Sequence, residues 1–173
     1  VVVGTGSIPF IPDGIEKNEQ IVHTSEYLHK EKEMKASNSI VVVGSGQSAA
    51  EVFYELLEEQ KHNKYSLKWY TRSSIFSQLE SAKLGQEVFS PDYVQYFQGL
   101  SYEKRKEALN RLDTVRNGVD KETLVKIYDL LYNRSVEGRD KKITIQPLTE
   151  VKSINESNGV LEVSCKQWEK EMD

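Results

Sequence analysis

The chain has 173 residues, of which 38% are hydrophobic and 29% are charged, with a formal net charge of -4 and one cysteine. This length suffices for one domain with its own core, and the charge pattern lacks the basic block of a nucleic-acid binder. The apolar runs are too short to cross a membrane, no signal peptide is recognisable, and a disulfide framework is excluded, so we expect a cytoplasmic protein. The histidines lack metal-ligand spacing, and no metal site is predicted.

The first elements are predicted from apolar runs and turn residues. Residues 1–3 are typical of a short buried strand, and a connection rich in glycine and proline follows up to residue 20. Residues 21–28 are predicted to be a short extended segment and residues 29–37 a solvated charged link. The β-branched run at 39–44 is typical of a parallel strand buried on both faces.

A helix and a second strand are predicted next. Five apolar residues recur at helical spacing, with glutamates on the opposite side: Ala49, Val52, Phe53, Leu56 and Leu57. Residues 66–72 alternate, with Leu67 and Trp69 on one side, and so predict a strand. Strand, glycine turn, helix and strand form one βαβ unit, which predicts an α/β, Rossmann-like fold with a mostly parallel sheet flanked by helices.

The second half of the chain is predicted to be mainly helical and to end in a hairpin. Residues 73–100 are a long loop, and loops of this length are often functional. Within and after it, Ser90, Ser101 and Asp120 are predicted helix caps. Residues 142–147 form a strand, and residues 150–167 form a C-terminal β-hairpin turning at Asn158–Gly159. The apolar face of the helix after Asp120 is formed by Leu124, Ile127, Tyr128 and Leu131.

The stretch GSGQSA at 44–49 fits a dinucleotide-binding turn. Gly44 permits the sharp turn, Gly46 lets a pyrophosphate approach the backbone, and Ala49 permits close packing of helix on strand. The N–H groups that open the helix attract phosphate. Because the stretch follows a strand and begins an amphipathic helix, we predict a dinucleotide site; the alternative is an ordinary strand–helix turn.

The end of the second predicted strand indicates which dinucleotide binds. NAD sites carry an acid there for the ribose 2′-hydroxyl, whereas this chain has Arg72 followed by Ser73. A guanidinium and hydroxyls suit a 2′-phosphate, which favours NADPH over NADH. The alternative is a surface arginine at a strand end.

A second Gly-x-Gly stretch, Gly4-Thr5-Gly6, is preceded by the same three valines. Pro9 and Pro12 follow it and prevent an orderly helix from starting, so no helix N-terminus is offered to a phosphate. We interpret it as a strand ending in a turn.

Several stretches follow one another in an order that resembles the flavin-dependent N-hydroxylating monooxygenases of siderophore biosynthesis: VVVGTGSIPFIP, HTSEYL, VVVGSGQSAAEVFYEL, YTRSSIF, QEVFSPDYVQYF and LVKIYDLLYNR. These enzymes act on the side-chain amine of L-lysine or L-ornithine. The resemblance implies that residues 1–173 are an NADPH-binding domain, excised from a larger protein whose FAD domain is absent here. Residues 1–35 would be the interdomain connection and leading strand, and the full-length protein a homo-oligomer that also uses FAD and dioxygen.

The resemblance also implies site residues. Contacts to NADP fall to Ser45, Gly46, Gln47, Ser48 and Arg72. The region 73–118 would face substrate and NADPH. Within it, Gln86, Glu87, Val88 and Phe89 match an Asn-Glu-x-Phe stretch that holds the amino acid, with Gln for Asn.

A further substrate contact would come from Asn117 or Arg116, in a loop that departs from the ornithine enzymes' TNYS-like sequence. This departure inclines the prediction to lysine. Glu87 and Phe89 have the alternative of being an ordinary loop acid and a packing aromatic. The rival functions are the NAD(P)H domain of another two-dinucleotide flavoprotein and a non-catalytic NADPH-binding module.

Overall fold

The structure, a computed structural model, describes residues 4, 6, 8–136 and 142–168, with only the backbone of residues 113 and 114. The strand predicted at 1–3 lies outside these residues. The helices and strands in chain order are α1 (Tyr27–Lys35), β1 (Ser39–Val43), α2 (Gln47–Glu59), β2 (Ser66–Tyr70), α3 (Pro91–Gln98), α4 (Tyr102–Arg111), α5 (Asp113–Arg116), α6 (Lys121–Val136), β3 (Ile143–Gln146), β4 (Thr149–Ser157) and β5 (Val160–Gln167).

The central sheet is parallel, with strand order β1-β2-β3. Val42 pairs with Trp69, and Trp69 pairs with Ile145 on its other side. The unit β1–α2–β2 confirms the predicted βαβ crossover, and the α/β fold class is confirmed with it. None of the helices in the described part of the chain is long and apolar enough to span a bilayer.

The core lies between one face of this sheet and α2. Ile40, Val42, Leu67 and Trp69 alternate along β1 and β2 and are each buried. The apolar stripe of α2 meets them and confirms the predicted helical face; its buried members are Ala49, Ala50, Phe53, Leu56 and Leu57.

The prediction that β1 is buried on both faces is wrong. Val43 is 41% exposed and Val41 is only half-buried. Their face of the sheet is turned to the hairpin β4–β5, which leaves a cleft of about 340 Å³ between them. The hairpin turn is confirmed at Asn158 and Gly159, whose φ angles of 53° and 73° match a type I′ turn.

The segment 21–37 differs from its prediction. Instead of an extended piece and a solvated link, a 3-10 helix at Thr24–Glu26 leads into α1. Tyr27, 3% exposed, donates a hydrogen bond from its hydroxyl to Glu55 on α2 at 3.1 Å. This tertiary contact, together with lysine–glutamate pairs along the helix, stabilises a segment whose own apolar periodicity is weak.

The predicted caps are confirmed. Ser90, Ser101 and Asp120 accept hydrogen bonds from N–H groups three residues on, at 3.2, 3.4 and 2.9 Å. The helix after Ser101 ends at Arg111, and the short α5 follows it. On α6, Ile127 is buried as predicted, but Tyr128 is 66% exposed and does not join the apolar face.

Candidate dinucleotide site

The turn after β1 is held by the neighbouring strand. Gly44 has φ +126°, a conformation that side chains rarely adopt. Its N–H donates to the carbonyl of Tyr70 at 2.9 Å, and its own carbonyl accepts from Trp69 Nε1 at 2.7 Å. A Cβ on Gly44 would lie 3.5 Å from that of Ala49, so the helix packs closely on the turn. Gly44 and Ala49 therefore lie where the sequence predicted.

Trp69 connects this turn to the core. Its ring stacks on Phe53 at 4.4 Å and contacts Phe76 at 4.1 Å between centroids. The sequence pattern predicted neither the hydrogen bond of Trp69 to Gly44 nor the contact of the Phe76 ring with Trp69. The available signal was that a buried indole N–H needs an acceptor, although the pattern could not say which one.

The N-terminus of α2 opens onto free space. Gly46 is the N-cap residue in an extended conformation, φ -89° and ψ 175°, and no side chain caps this helix end within the described residues. A Cβ built on Gly46 meets nothing within 4 Å. Backbone N–H groups and the helix dipole are thus presented where an anion could approach.

The end of β2 lies beside this turn. Thr71, 1% exposed, accepts a hydrogen bond from the N–H of Ser73 on its Oγ1 at 3.1 Å, which fixes the chain at the strand end. The hydroxyls of Ser45 and Ser73 are 2.9 Å apart. The side chain of Arg72 is exposed, and no hydrogen bond or ion pair of the described residues engages it. The structure therefore places the turn before α2 beside the end of β2, and these are the two parts of the predicted cofactor site.

Gln47, the first residue of α2, is already engaged by another part of the chain. Its amide N–H₂ donates to Asp120 Oδ2 at 2.5 Å and to Glu51 at 2.8 Å, while its Oε1 accepts from the N–H of Asp120 at 2.8 Å. The hydroxyl and N–H of Thr123, followed by the Gln47 amide, lower the pKa of Asp120 to about 2. Nothing in the sequence pattern indicated this pairing across 73 positions.

The predicted substrate residues fall in two places. Gln86, Glu87, Val88 and Phe89 belong to a 3-10 helix, Gly85–Phe89, whose hydrogen bonds within the described chain are local. Phe89 is 62% exposed. In contrast, residues 117–120 lie beside 77–79, because Leu79 donates to the Val119 carbonyl and the Val119 N–H donates to Ser77, both at 2.9 Å. Asn117 and Arg116 are exposed and precede the paired residues of this second place.

A parallel sheet, a βαβ crossover and a glycine turn against an open helix end define a Rossmann-like fold. The chain belongs to the L-lysine 6-monooxygenase/L-ornithine 5-monooxygenase family, whose model matches residues 1–173.

Similar proteins include a putrescine N-hydroxylase of Shewanella oneidensis, 37% identical over 99% of this chain and 34% of that protein. A cadaverine monooxygenase of Erwinia amylovora, from desferrioxamine biosynthesis and solved with FAD, is 33% identical with TM-score 0.87, covering 95% and 39%. An ornithine N-hydroxylase of Kutzneria sp. 744, solved with reduced FAD, NADP+ and L-ornithine, shares the fold at 20% identity, TM-score 0.82, covering 93% and 39%. The chain thus spans about a third of the length of the curated relative.

Proposed function

We propose that this chain is the NADPH-binding domain of an FAD-dependent monooxygenase that N-hydroxylates a primary amine in siderophore biosynthesis. The observation that carries the proposal is the open N-terminus of α2 beside Ser73 and the unengaged Arg72. The names of the related proteins support the reaction and the FAD, which the rest of the polypeptide would bind. Dioxygen would be the second substrate.

The residues present fit NADPH. The space in front of Gly46 leaves room for a pyrophosphate against the N–H groups of α2. Arg72 would pair with the 2′-phosphate, since its fork of donors matches phosphate oxygens, and Ser45 and Ser73 would add hydroxyl donors. When bound, NADPH supplies the hydride that the flavin chemistry needs. The part of this chain is to bind and orient the dinucleotide.

Ser48 and Gln47 belong to the same proposed set. Ser48 lies in the first turn of α2 and is exposed, so its hydroxyl is available to a ligand. Gln47 would act from its fixed position against Asp120 and not as a mobile side chain.

For the amine, we propose a small aliphatic compound with a terminal primary amino group. The sequence inclined to lysine over ornithine, whereas the Shewanella and Erwinia relatives, 37% and 33% identical, are named for the diamines putrescine and cadaverine. This favours a diamine. The proposed contacts on the amine side are Gln86, Glu87, Val88, Phe89 and Asn117, with Arg116 as the alternative to Asn117.

Arg72→Ala in the full-length enzyme tests the cofactor assignment. Loss of charged hydrogen bonds should weaken NADPH binding on the order of tenfold to a hundredfold, with little effect on NADH. Arg72→Lys, which keeps the charge and loses the fork, should fall in between. Dissociation constants for both nucleotides measure this, and equal losses for NADPH and NADH would contradict the assignment.

An amine panel tests the reaction. NADPH oxidation and hydroxylamine formation are measured with putrescine, cadaverine, lysine and ornithine in the presence of FAD. We expect coupled product with the diamines. Hydroxylamine from lysine or ornithine alone would overturn the diamine preference, and hydroxylamine from none of the four, with NADPH still bound, would favour a non-catalytic module or another flavoprotein.

A further inference from the structure

The contact between Gln47 and Asp120 joins three parts of the proposed site. Gln47 opens α2 at the phosphate turn, and Asp120 caps α6. The residues before Asp120 are paired with 77–79, which follow the strand end that carries Arg72 and Ser73. One side-chain pair therefore connects the glycine turn, the loop after β2 and the stretch with Asn117.

The Gln47 side chain cannot turn away without losing two bonds to Asp120, and the Asp120 carboxylate cannot turn away without losing its bonds to Gln47 and Thr123. Gln47 accepts from the backbone of Asp120 and donates to its carboxylate. The other carboxylate oxygen, Oδ1, accepts from the N–H of Thr123, and the Thr123 hydroxyl donates to Oδ2 at 2.6 Å. The first turn of α6 thus fixes the orientation of the Asp120 carboxylate, and the carboxylate in turn fixes the side chain of Gln47, the first residue of α2.

The charge of Asp120 is unexpected at this position. A carboxylate next to the N-terminus of the helix that would receive phosphates opposes the binding of a polyanion. If Asp120 served only as a local helix cap, asparagine would cap α6 equally well without that repulsion. The Gln47 N–H₂, however, needs a second acceptor oxygen at residue 120, because the first, Oδ1, accepts from the Thr123 N–H. Aspartate has two such oxygens and asparagine has one.

We propose that Asp120 is a positioning residue of the dinucleotide site and acts through Gln47. It holds the α2 N-terminus and the 117–119 stretch in one arrangement, so that phosphate and substrate contacts form together. This inference rests on the proposed function of the chain as an NADPH-binding domain.

Asp120→Asn in the full-length enzyme separates charge from position. Asparagine keeps the cap through its Oδ1 but presents an N–H₂ to the N–H₂ of Gln47, which breaks the side-chain bond and leaves only the bond from the backbone N–H of residue 120. We expect NADPH affinity to fall on the order of tenfold, the loss typical of a hydrogen bond to a charged group, even though a repulsive charge is removed. The rate of flavin reduction by NADPH should fall at subsaturating NADPH.

The exchanged pair, Gln47→Glu with Asp120→Asn, is the decisive variant. The carboxylate introduced at position 47 can accept from both the backbone N–H and the new side-chain N–H₂ of residue 120, which restores the pair with the same net charge. We expect part of the affinity lost by either single variant to return. Glu122→Gln is the matched control: it removes a carboxylate from the same helix turn, where Glu122 pairs with Lys126 at 2.8 Å, and should leave NADPH affinity unchanged.

The outcomes distinguish this inference from the function it rests on. If the wild-type enzyme does not bind NADPH, the proposed function fails. If it binds NADPH and Asp120→Asn binds equally well or more tightly, the positioning role is wrong. Failure of the exchanged pair to recover any affinity, with thermal unfolding unchanged, would also overturn it.

Discussion

The glycine turn at 44–49 is packed against and hydrogen-bonded to the buried core, whereas the stretch 86–89 is hydrogen-bonded only to its near neighbours within the described chain. Gly44 is bonded to Tyr70 and Trp69, and Ala49 is 6% exposed. Gln86 instead bonds to Ala82 and Glu80, a few residues before it. The difference teaches that the geometry of the glycine turn is tied to folding, while the proposed substrate stretch can change with little effect on the core.

Trp69→Ala should have the largest effect, because it affects both the buried core and the glycine turn that is attached to it. It removes a fully buried ring between Phe53 and Phe76, and the expected loss of unfolding free energy is about 3–5 kcal/mol. NADPH affinity should fall as well, because the Gly44 carbonyl loses its donor. Urea denaturation and nucleotide titration measure the two effects.

Trp69→Phe provides the control for that prediction. It keeps much of the stacking but lacks the indole N–H, so its cost should be smaller and fall mainly on the turn. Equal NADPH affinity of Trp69→Phe and wild type would show that the bond to Gly44 does not matter for the turn.

Substitutions of the two glycines should sharpen the contrast within the turn itself. Gly44→Ala forces a side chain into φ +126° and should cost on the order of 1–3 kcal/mol of stability. Gly46→Ala meets open space and ordinary φ, so stability should hardly change, while NADPH binding weakens because the methyl group enters the pyrophosphate approach. Thermal unfolding combined with NADPH titration separates them. Loss of stability in Gly46→Ala without loss of affinity would contradict the assignment.

Phe89→Ala should have the smallest effect on folding. Phe89 is 62% exposed, and a surface substitution usually changes stability by less than about 0.5 kcal/mol. We expect KM for the amine to rise while the NADPH dissociation constant stays constant. Glu87→Gln, which removes the acid of the same exposed stretch, is a companion variant. A large fall in melting temperature for Phe89→Ala would mean that the stretch is part of the core after all.

Local signals in the sequence predicted much of this protein. Each correctly predicted feature depends on only a few neighbouring residues. These features are the helical periodicity of 47–59, the strand alternation at Leu67 and Trp69, the caps at Ser90, Ser101 and Asp120, and the turn at Asn158–Gly159. Helix start signals and strand alternation depend on near neighbours, which is why these elements could be predicted.

The helix in the segment 21–37 could not be predicted, because α1 depends on the contact of Tyr27 with Glu55, far along the chain.

The sequence by itself determined the βαβ unit, the position of the glycine turn and the choice of residues at the end of β2. Only the tertiary structure decided that β1 has one exposed face, that Trp69 holds Gly44, and that Gln47 is paired with Asp120. The physical reason is that hydrogen-bond partners of buried and half-buried polar groups are set by packing between distant segments. A short pattern specifies which groups need a partner, and the fold specifies which partner they find.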